Sequence, residues 1–171
     1  MLFDFRKAFD LINHHVLLQK MMSYNIPRHA LAWITDFLTD RKQRVKINND
    51  CFSQWGDVTA GVPQGTKVGP WLFLIMINAL SVSNTVLWKY VDDTTLSESV
   101  NKNGNSTLQL KVDELIEKTK ADGFQLNETK CKEIRITFSR SGFTAAPIII
   151  NGKATDVVSS AKLLGLLCPM I

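Results

Sequence analysis

Three aspartates in this sequence follow segments that are otherwise apolar. Asp4 comes at the end of a short apolar strand, and Asp92 and Asp93 directly follow the apolar segment 86–91 at a predicted hairpin tip. Carboxylates in a hydrophobic setting are costly unless they are paired or bound to a metal ion. Their oxygens are the ligands that Mg²⁺ prefers, and two such ions about 3.5–4 Å apart can assist a phosphoryl transfer. An isolated Asp-Asp pair, however, is usually an ordinary turn.

The aspartates do not stand alone, because several other segments accompany them in a defined order. Phe3-Asp-Phe-Arg-Lys-Ala-Phe-Asp10, Gly61-Val-Pro-Gln-Gly65 and Tyr90-Val-Asp-Asp93 together resemble motifs A, B and C of reverse transcriptases. Thr129-Lys130 is similar to motif D, and Lys162-Leu-Leu-Gly165 is similar to a less aromatic motif E. The residues of motif A and of the segment 38–45 resemble those of reverse transcriptases from non-LTR (LINE-type) retrotransposons.

The resemblance implies an RNA-directed DNA polymerase that transfers nucleotides onto a primer 3′ end with two Mg²⁺ or Mn²⁺ ions. Its implied partners are an RNA template, a DNA primer and deoxynucleoside triphosphates. Asp4, Asp92 and Asp93 are the implied metal ligands, together with the carbonyl of Phe5. Lys130 is implied to lie near the pyrophosphate as a general acid. Lys132, a near neighbour, has the same chemistry.

The resemblance also implies a set of nucleotide-binding residues. The backbone amides near the triphosphate are those of Arg6, Lys7 and Ala8. Phe9 is implied to be a steric gate that excludes a 2′-hydroxyl, although alone it would be interpreted as a core aromatic. Gln64 and Gly65 are implied to shape the nucleotide and template pocket, since glycine lets the backbone approach closely and an amide can hydrogen-bond the nucleotide.

Hydrophobic periodicity predicts the elements that position these residues. Mixed strands and helices, with hairpins as well as crossovers, indicate an α+β fold. The resemblance specifies a polymerase palm, an antiparallel sheet with helices packed on one face. Trp71 to Ile75 are predicted to be buried in the helix behind motif B, and Trp33 and Trp88 to be core or sheet-face residues. The predicted strands cover about 1–5, 44–48, 52–58, 86–90, 133–138, 147–150 and 162–167, and the helices cover about 11–22, 27–38, 68–80 and 108–123.

Composition agrees with a folded, soluble protein. The 171 residues are 45% hydrophobic and 21% charged, with a net charge of +4. We expect an intracellular protein without a membrane partner, because the longest apolar run is too short to span a bilayer. The family resemblance implies the nucleus. Arg41, Lys42, Arg44 and Lys46 are clustered, either as a solvated hairpin or as a phosphate-contacting patch.

The motifs extend over essentially the whole chain, so we expect residues 1–171 to be a palm region from which fingers and thumb are missing. Two hypotheses about function follow. The first is a catalytic palm that is active only in a longer polypeptide. The second is an inert remnant with at most weak nucleic-acid or partner binding.

Overall fold

The computed structural model describes residues 1–101, 104–138, 145–163 and 166–169, and the chain forms two compact units. The first unit comprises Met1–Ala8 and Ile77–Ile171, and the second comprises Phe9–Met76. The described helices are α1 (His14–Met22), α2 (Arg28–Leu38), α3 (Val68–Asn78) and α4 (Leu108–Ala121). The described strands are β1 (Leu2–Phe3), β2 (Lys42–Gln43), β3 (Gly56–Asp57), β4 (Leu87–Tyr90), β5 (Asp93–Leu96), β6 (Lys132–Ile134), β7 (Ile149–Ile150), β8 (Lys153–Ala154), β9 (Asp156–Val158), β10 (Ser160–Leu163) and β11 (Leu166–Pro169).

The main sheet of the first unit has the strand order β4-β5-β1-β6-β9. β1 runs antiparallel to both of its neighbours, and β4 and β5 form an antiparallel hairpin. β6 and β9 are parallel. The sheet is therefore mixed, whereas the sequence predicted an antiparallel sheet. The α+β class is confirmed.

The side chain of Gln109 on α4 extends the β7–β8 hairpin of this unit. β7 and β8 pair around a turn at Asn151-Gly152, as the sequence predicted. Gln109 donates to the carbonyl of Ile149 at 2.9 Å and accepts from its N–H at 2.8 Å. One amide group therefore satisfies both backbone groups of Ile149.

Lys89 on β4 lies at the C-terminal end of α3. Its ammonium donates to the carbonyls of Ile77, Asn78 and Leu80 at 2.8–3.0 Å. The last carbonyls of a helix have no partner within it, and a cation there also interacts favourably with the helix dipole. Lys89 thus fixes β4 to this end of α3.

The second unit contains α1, α2 and the β2–β3 hairpin. Asn13 caps α1, because its side chain accepts hydrogen bonds from the backbone of His15 and Val16. Pro27 precedes α2, where its missing N–H costs nothing. The apolar side chains of these helices that are fully buried are Leu17, Met21 and Leu38.

Helix α3 is only partly buried, which corrects one sequence prediction. Leu72 and Phe73 are buried, but Trp71 is 70% exposed and Leu74 is 42% exposed. The helix is apolar all round, so its pattern could not show which side faces the core. Positions 72, 73, 76 and 77 share the buried face, and positions 71 and 74 lie on the other face.

Two other tryptophans also lie outside the core. Trp33 is 54% exposed and stacks on Phe37, one turn along α2, with ring centroids 5.7 Å apart. Trp88 is 63% exposed on β4, where it occupies a sheet face. The core interpretation was therefore wrong for both residues, and the sheet-face interpretation holds for Trp88.

Three predicted strand regions differ from the structure. The strand predicted over 133–138 ends at Ile134, in β6. A hairpin forms near the predicted segments 44–48 and 52–58, but its first strand, β2, lies just before segment 44–48. Within that segment Lys46 forms an isolated bridge with Phe52. Of the segment predicted as a strand over 162–167, residues 162–163 belong to β10 and residues 166–167 belong to β11, which pairs with β10. Leu164 and Gly165 of motif E are outside the described residues. No described helix is long and apolar enough to cross a membrane.

Candidate active site

The hairpin between β4 and β5 presents the aspartate pair at its tip. Tyr90 pairs with Asp93, so Val91 and Asp92 form a two-residue turn. Val91 has a φ of 53°, a left-handed conformation that a β-branched residue rarely adopts. Strain of this kind is concentrated at functional sites, where the surrounding structure maintains it. The turn holds Asp92 at the exposed end of the hairpin.

The register of β1 and β5 brings Asp4 beside this hairpin tip. Leu2 pairs with Thr95 and Phe3 pairs with Thr94, so Asp4 continues the strand toward Asp93. The pKa of Asp93 is raised, first by partial desolvation of its carboxyl group and then by the negative charges of Asp92 and Asp4. The three carboxylates predicted from the sequence therefore interact electrostatically.

Lys130 is the cation next to these acids. Its Nζ lies 3.9 Å from Oδ1 of Asp4, and both side chains are partly exposed, at 67% and 39%. Solvent screens such a pair, so its contribution to stability is small. The position of Lys130 matters more, since an ammonium group stands beside the first predicted metal ligand.

The turn that carries Lys130 is fixed to the strand that carries Asp4. Asn127 donates its N–H to the carbonyl of Asp4 at 2.8 Å, and Arg6 donates its N–H to the carbonyl of Gln125 at 2.7 Å. The N–H of Lys130 in turn donates to the carbonyl of Asn127 at 2.9 Å. Backbone hydrogen bonds thus connect motifs A and D directly.

The hydrogen bonds of Asp4 and Arg6 form a bridge between Phe5 and Leu126, and this bridge limits which backbone groups of motif A can contact a nucleotide. Phe5 faces Leu126 across the bridge, and its carbonyl takes no part in the bridge hydrogen bonds. The amide of Arg6 is already bonded, and its guanidinium lies 3.5 Å from Glu128. Lys7 has a φ of 46°, so motif A turns sharply just before Ala8.

The donor set fits a hard cation by its chemistry. Three neighbouring carboxylates, of which Asp93 has its pKa raised by partial desolvation and by the charges of the other two, are surroundings in which a divalent ion is favourable, because the ion offsets their mutual repulsion. Among the described residues, however, no group of three His, Cys, Asp or Glu side chains is close enough to hold a metal ion. The structure therefore brings the acids near one another without forming a three-carboxylate metal site.

In the second unit, Phe9 and Gln64 each have a defined environment. The ring of Phe9 is half-buried and stacks on the buried Phe73, with centroids 4.5 Å apart. Gln64 is exposed, and its amide donates to Oδ1 of Asp10 at 3.0 Å. Gly65 is also exposed and has a φ of +81°, and a Cβ atom added to it would meet no other atom within 4 Å. Motif B therefore presents its glutamine at the surface of this unit.

The end of motif A and the start of motif B are joined by a hydrogen-bonded contact that the sequence did not predict. Gly61 donates to the carbonyl of Ile12 at 2.8 Å, and Val62 donates to the carbonyl of Phe9 at 2.9 Å. The His14 ring lies 2.6 Å from the carbonyl of Gly61. A Cβ atom on Gly61 would lie 2.6 Å from the carbonyl oxygen of Asp10, so only glycine fits.

Sequence reasoning missed Asp10, His14 and Asn127 as supporting residues. Asp10 is the last residue of motif A and His14 follows it closely, so their nearness to the motif was the available signal. Asn127 precedes the motif D lysine, but its bond to Asp4 joins residues that are far apart in the chain. No local pattern could have indicated that bond.

Comparison with known proteins identifies the family of this chain. The family model "Reverse transcriptase (RNA-dependent DNA polymerase)" matches residues 1–167. The chain is 28% identical over 174 residues to the probable RNA-directed DNA polymerase from transposon BS of Drosophila melanogaster, covering 95% of this chain and 19% of that protein.

Two further relatives are RNA-directed DNA polymerases from the mobile element jockey. The Drosophila melanogaster protein is 26% identical over 95% of this chain, and the Drosophila funebris protein is 26% identical over 96% of it. The chain spans about 19% of the length of each relative. Together with motifs A to D, these matches show that the chain belongs to the reverse transcriptase family, of the type carried by non-LTR (LINE-type) retrotransposons.

Proposed function

We propose that this chain is the palm region of an RNA-directed DNA polymerase, which extends a DNA primer on an RNA template. The observation that carries the proposal is the convergence of motifs A, C and D. The strand register brings Asp4 beside the hairpin tip, where partial desolvation and then the charges of Asp92 and Asp4 raise the pKa of Asp93, and Lys130 pairs with Asp4. Because the chain spans about 19% of the length of its relatives, we assign it only the part of that activity that motifs A, C and D carry.

Asp4, Asp92 and Asp93, with the carbonyl of Phe5, are the residues that would hold Mg²⁺ or Mn²⁺. Two bound ions would neutralise the acids and polarise the reacting phosphate and hydroxyl oxygens. The strained turn at Val91 supports this role for Asp92, since it holds the carboxylate at the hairpin tip.

Lys130 is proposed to neutralise the leaving pyrophosphate and to donate a proton to it. Two backbone hydrogen bonds, at Asp4 and Arg6, hold its turn against the segment that follows β1, so its ammonium remains within reach of groups bound near Asp4. Among the described residues Lys132 has no ion pair with Asp4, so the geometry favours Lys130 for this role.

Phe9 and Gln64 are proposed to contact the incoming deoxynucleoside triphosphate. The ring of Phe9 is held by stacking on Phe73, as a steric gate requires, because a mobile ring would admit a 2′-hydroxyl. Gln64 is oriented by Asp10, which leaves its carbonyl oxygen available to a ligand. Lys7, Ala8 and Gly65 complete the proposed contacts to the nucleotide.

The first experiment substitutes a proposed metal ligand. We would join residues 1–171 to the flanking regions of the transposon BS relative and measure primer extension on an RNA template. Asp92→Asn should reduce synthesis by several orders of magnitude, because it removes a group that acts on the transition state. Asp50→Asn, in the exposed β2–β3 loop, is the matched control and should leave synthesis unchanged. More than about a tenth of the activity remaining in Asp92→Asn would refute the assignment.

The second experiment addresses the steric gate in the same chimera. Phe9→Val should raise the use of ribonucleotides relative to deoxyribonucleotides, since the smaller side chain leaves space for the 2′-hydroxyl. An unchanged ratio would mean that the ring serves only to pack against Phe73.

The 171 residues alone are proposed to be inactive, because phosphoryl transfer also depends on positioning both reactants. Robust synthesis by the isolated chain would contradict this. Synthesis by the chimera alone would support the catalytic palm, and inactivity of both would favour the inert remnant. A nuclear location is also proposed, and imaging of a fluorescent fusion would test it.

A further inference from the structure

The β2–β3 hairpin of the second unit carries a basic and aromatic surface that the proposed polymerisation does not use. Lys42, Arg44 and Lys46 alternate along the first arm, so their side chains lie on one side of the extended backbone. Phe52 and Trp55 belong to the returning arm. All five residues are exposed, and together they are called the basic–aromatic surface below.

Cations and rings are in direct contact on this surface. The guanidinium carbon of Arg44 lies 4.0 Å from the centroid of Phe52 and 4.7 Å from that of Trp55. The ammonium of Lys46 lies 5.8 Å from the centroid of Phe52. A guanidinium stacked on aromatic faces keeps the N–H groups at its edge free for hydrogen bonds to an anion. The rings hold Arg44 in place without neutralising it.

The positive charge of the surface is only partly compensated. Lys42 lies 3.7 Å from Asp57, in a pair that is exposed on both sides. In the part of the chain that the structure describes, neither Arg44 nor Lys46 has a carboxylate partner. Phe52 is 40% exposed and Trp55 is 60% exposed, so solvated ring surface adjoins these two cations.

The chemistry of this surface selects its ligand. An anionic membrane or an acidic peptide would satisfy the cations, but neither offers flat rings to stack on an exposed indole. Single-stranded nucleic acid has both a phosphate on every nucleotide and an unpaired base with a π-face. A duplex keeps its bases stacked inside and would use the charges alone.

We propose that the basic–aromatic surface binds single-stranded RNA or DNA, with Arg44 and Lys46 on phosphates and Trp55 stacked on a base. Binding at this surface requires no metal ion, no nucleotide and no catalysis. It extends the proposed function by assigning a contact for unpaired strand to this hairpin, and it can hold even if that function fails.

The test uses the 171-residue chain and a short fluorescein-labelled oligouridylate in buffer without divalent metal. Fluorescence anisotropy gives the affinity at several salt concentrations. Arg44→Ala/Lys46→Ala should weaken binding by about tenfold or more and reduce the steepness of log affinity against log salt by about 1.4, at about 0.7 for each phosphate contact to a single strand. Trp55→Ala should weaken binding by at least about fivefold and leave the slope unchanged. Trp55→Phe, which retains a ring, should recover most of the loss.

Matched controls remove the same groups elsewhere. Arg28→Ala/Lys153→Ala removes two exposed cations, and Trp71→Ala removes an exposed tryptophan. Both should bind within about twofold of the unmodified chain, whereas losses equal to those of the hairpin variants would overturn the proposal. Circular dichroism would establish that each variant is folded. If Arg44→Ala disturbs the hairpin, Arg44→Lys should keep the salt slope and still lose affinity, because the planar stack is gone.

Other probes separate the alternative ligands. A duplex of the same sequence should bind more weakly and should be insensitive to Trp55→Ala. Equal or tighter binding of a glutamate-rich peptide, or of phosphatidylserine vesicles, would overturn the assignment to nucleic acid. Failure of the unmodified chain to bind the oligonucleotide at low salt would do so as well.

Discussion

Replacing Gly61 with alanine tests the contact between motifs A and B. Gly61 has a φ of +87°, and a Cβ atom there would lie 2.6 Å from the carbonyl oxygen of Asp10 and 2.9 Å from its Cα. These are backbone atoms, so they cannot rotate away. Relief requires the two segments to separate, which stretches the hydrogen bonds from Gly61 to Ile12 and from Val62 to Phe9.

The expected loss of stability can be worked out from two contributions. Alanine in a left-handed conformation costs about 1 kcal/mol. Loss of two backbone hydrogen bonds adds about 2 kcal/mol, at roughly 1 kcal/mol each. Gly61→Ala should therefore lower the free energy of unfolding by about 3 kcal/mol, a large effect for one methyl group.

Gly65→Ala is the matched control, since it isolates the backbone contribution. Gly65 has a φ of +81°, but a Cβ there would meet nothing within 4 Å. It should cost only about 1 kcal/mol. Urea unfolding of both variants, followed by tryptophan fluorescence, measures the difference, and equal losses within about 0.5 kcal/mol would refute the reasoning. Failure of Gly61→Ala alone to fold would support it.

Three further predictions concern the first unit and the free thiols. Hydrogen bonds from Ser106, Thr107 and Lys111 outweigh burial and lower the pKa of Glu98 to about 2. The contribution of Glu98 to the free energy of unfolding should be fully present above its ordinary pKa of 4.5 and should be lost as the pH falls through about 2. In acid unfolding curves, the difference in stability between the unmodified chain and Glu98→Gln should therefore shrink over that pH range. Iodoacetamide should label the exposed Cys51 and leave Cys131 unmodified in the folded chain, because burial raises the pKa of the Cys131 thiol; peptide mass mapping would detect an opposite result. Lys89→Met should destabilise the chain by about 1–3 kcal/mol in urea, since it leaves three carbonyls at the end of α3 without this donor, and no change would mean that water replaces the ammonium.

The parts of the site that depend on local sequence could be predicted. A two-residue turn between alternating strands placed Asp92 at a hairpin tip, and a helix stop before Gly123 is where α4 ends. Local rules specify these features because turn chemistry and helix ends involve only a few neighbouring residues.

The features that the sequence did not predict depend on contacts between residues far apart in the chain, or on hydrophobic patterns that do not show which side of an element is buried. The bond from Asn127 to Asp4 joins segments more than a hundred residues apart, and the stack of Phe9 on Phe73 joins motif A to helix α3. Helix α3 is apolar on every side, so the exposure of Trp71 could not be inferred. The β2–β3 hairpin has no buried face, which leaves its register weakly specified by the sequence.

The amide of Gln109 has a consequence for how this protein behaves at high concentration. A short apolar strand such as β7 would ordinarily offer its outward N–H and C=O groups to a strand from another molecule, which is how edge-to-edge aggregation begins. At Ile149 both groups are already engaged by one side chain from α4. The helix thereby closes this edge against a second copy of the chain, and it does so without adding a strand, a charge or a proline.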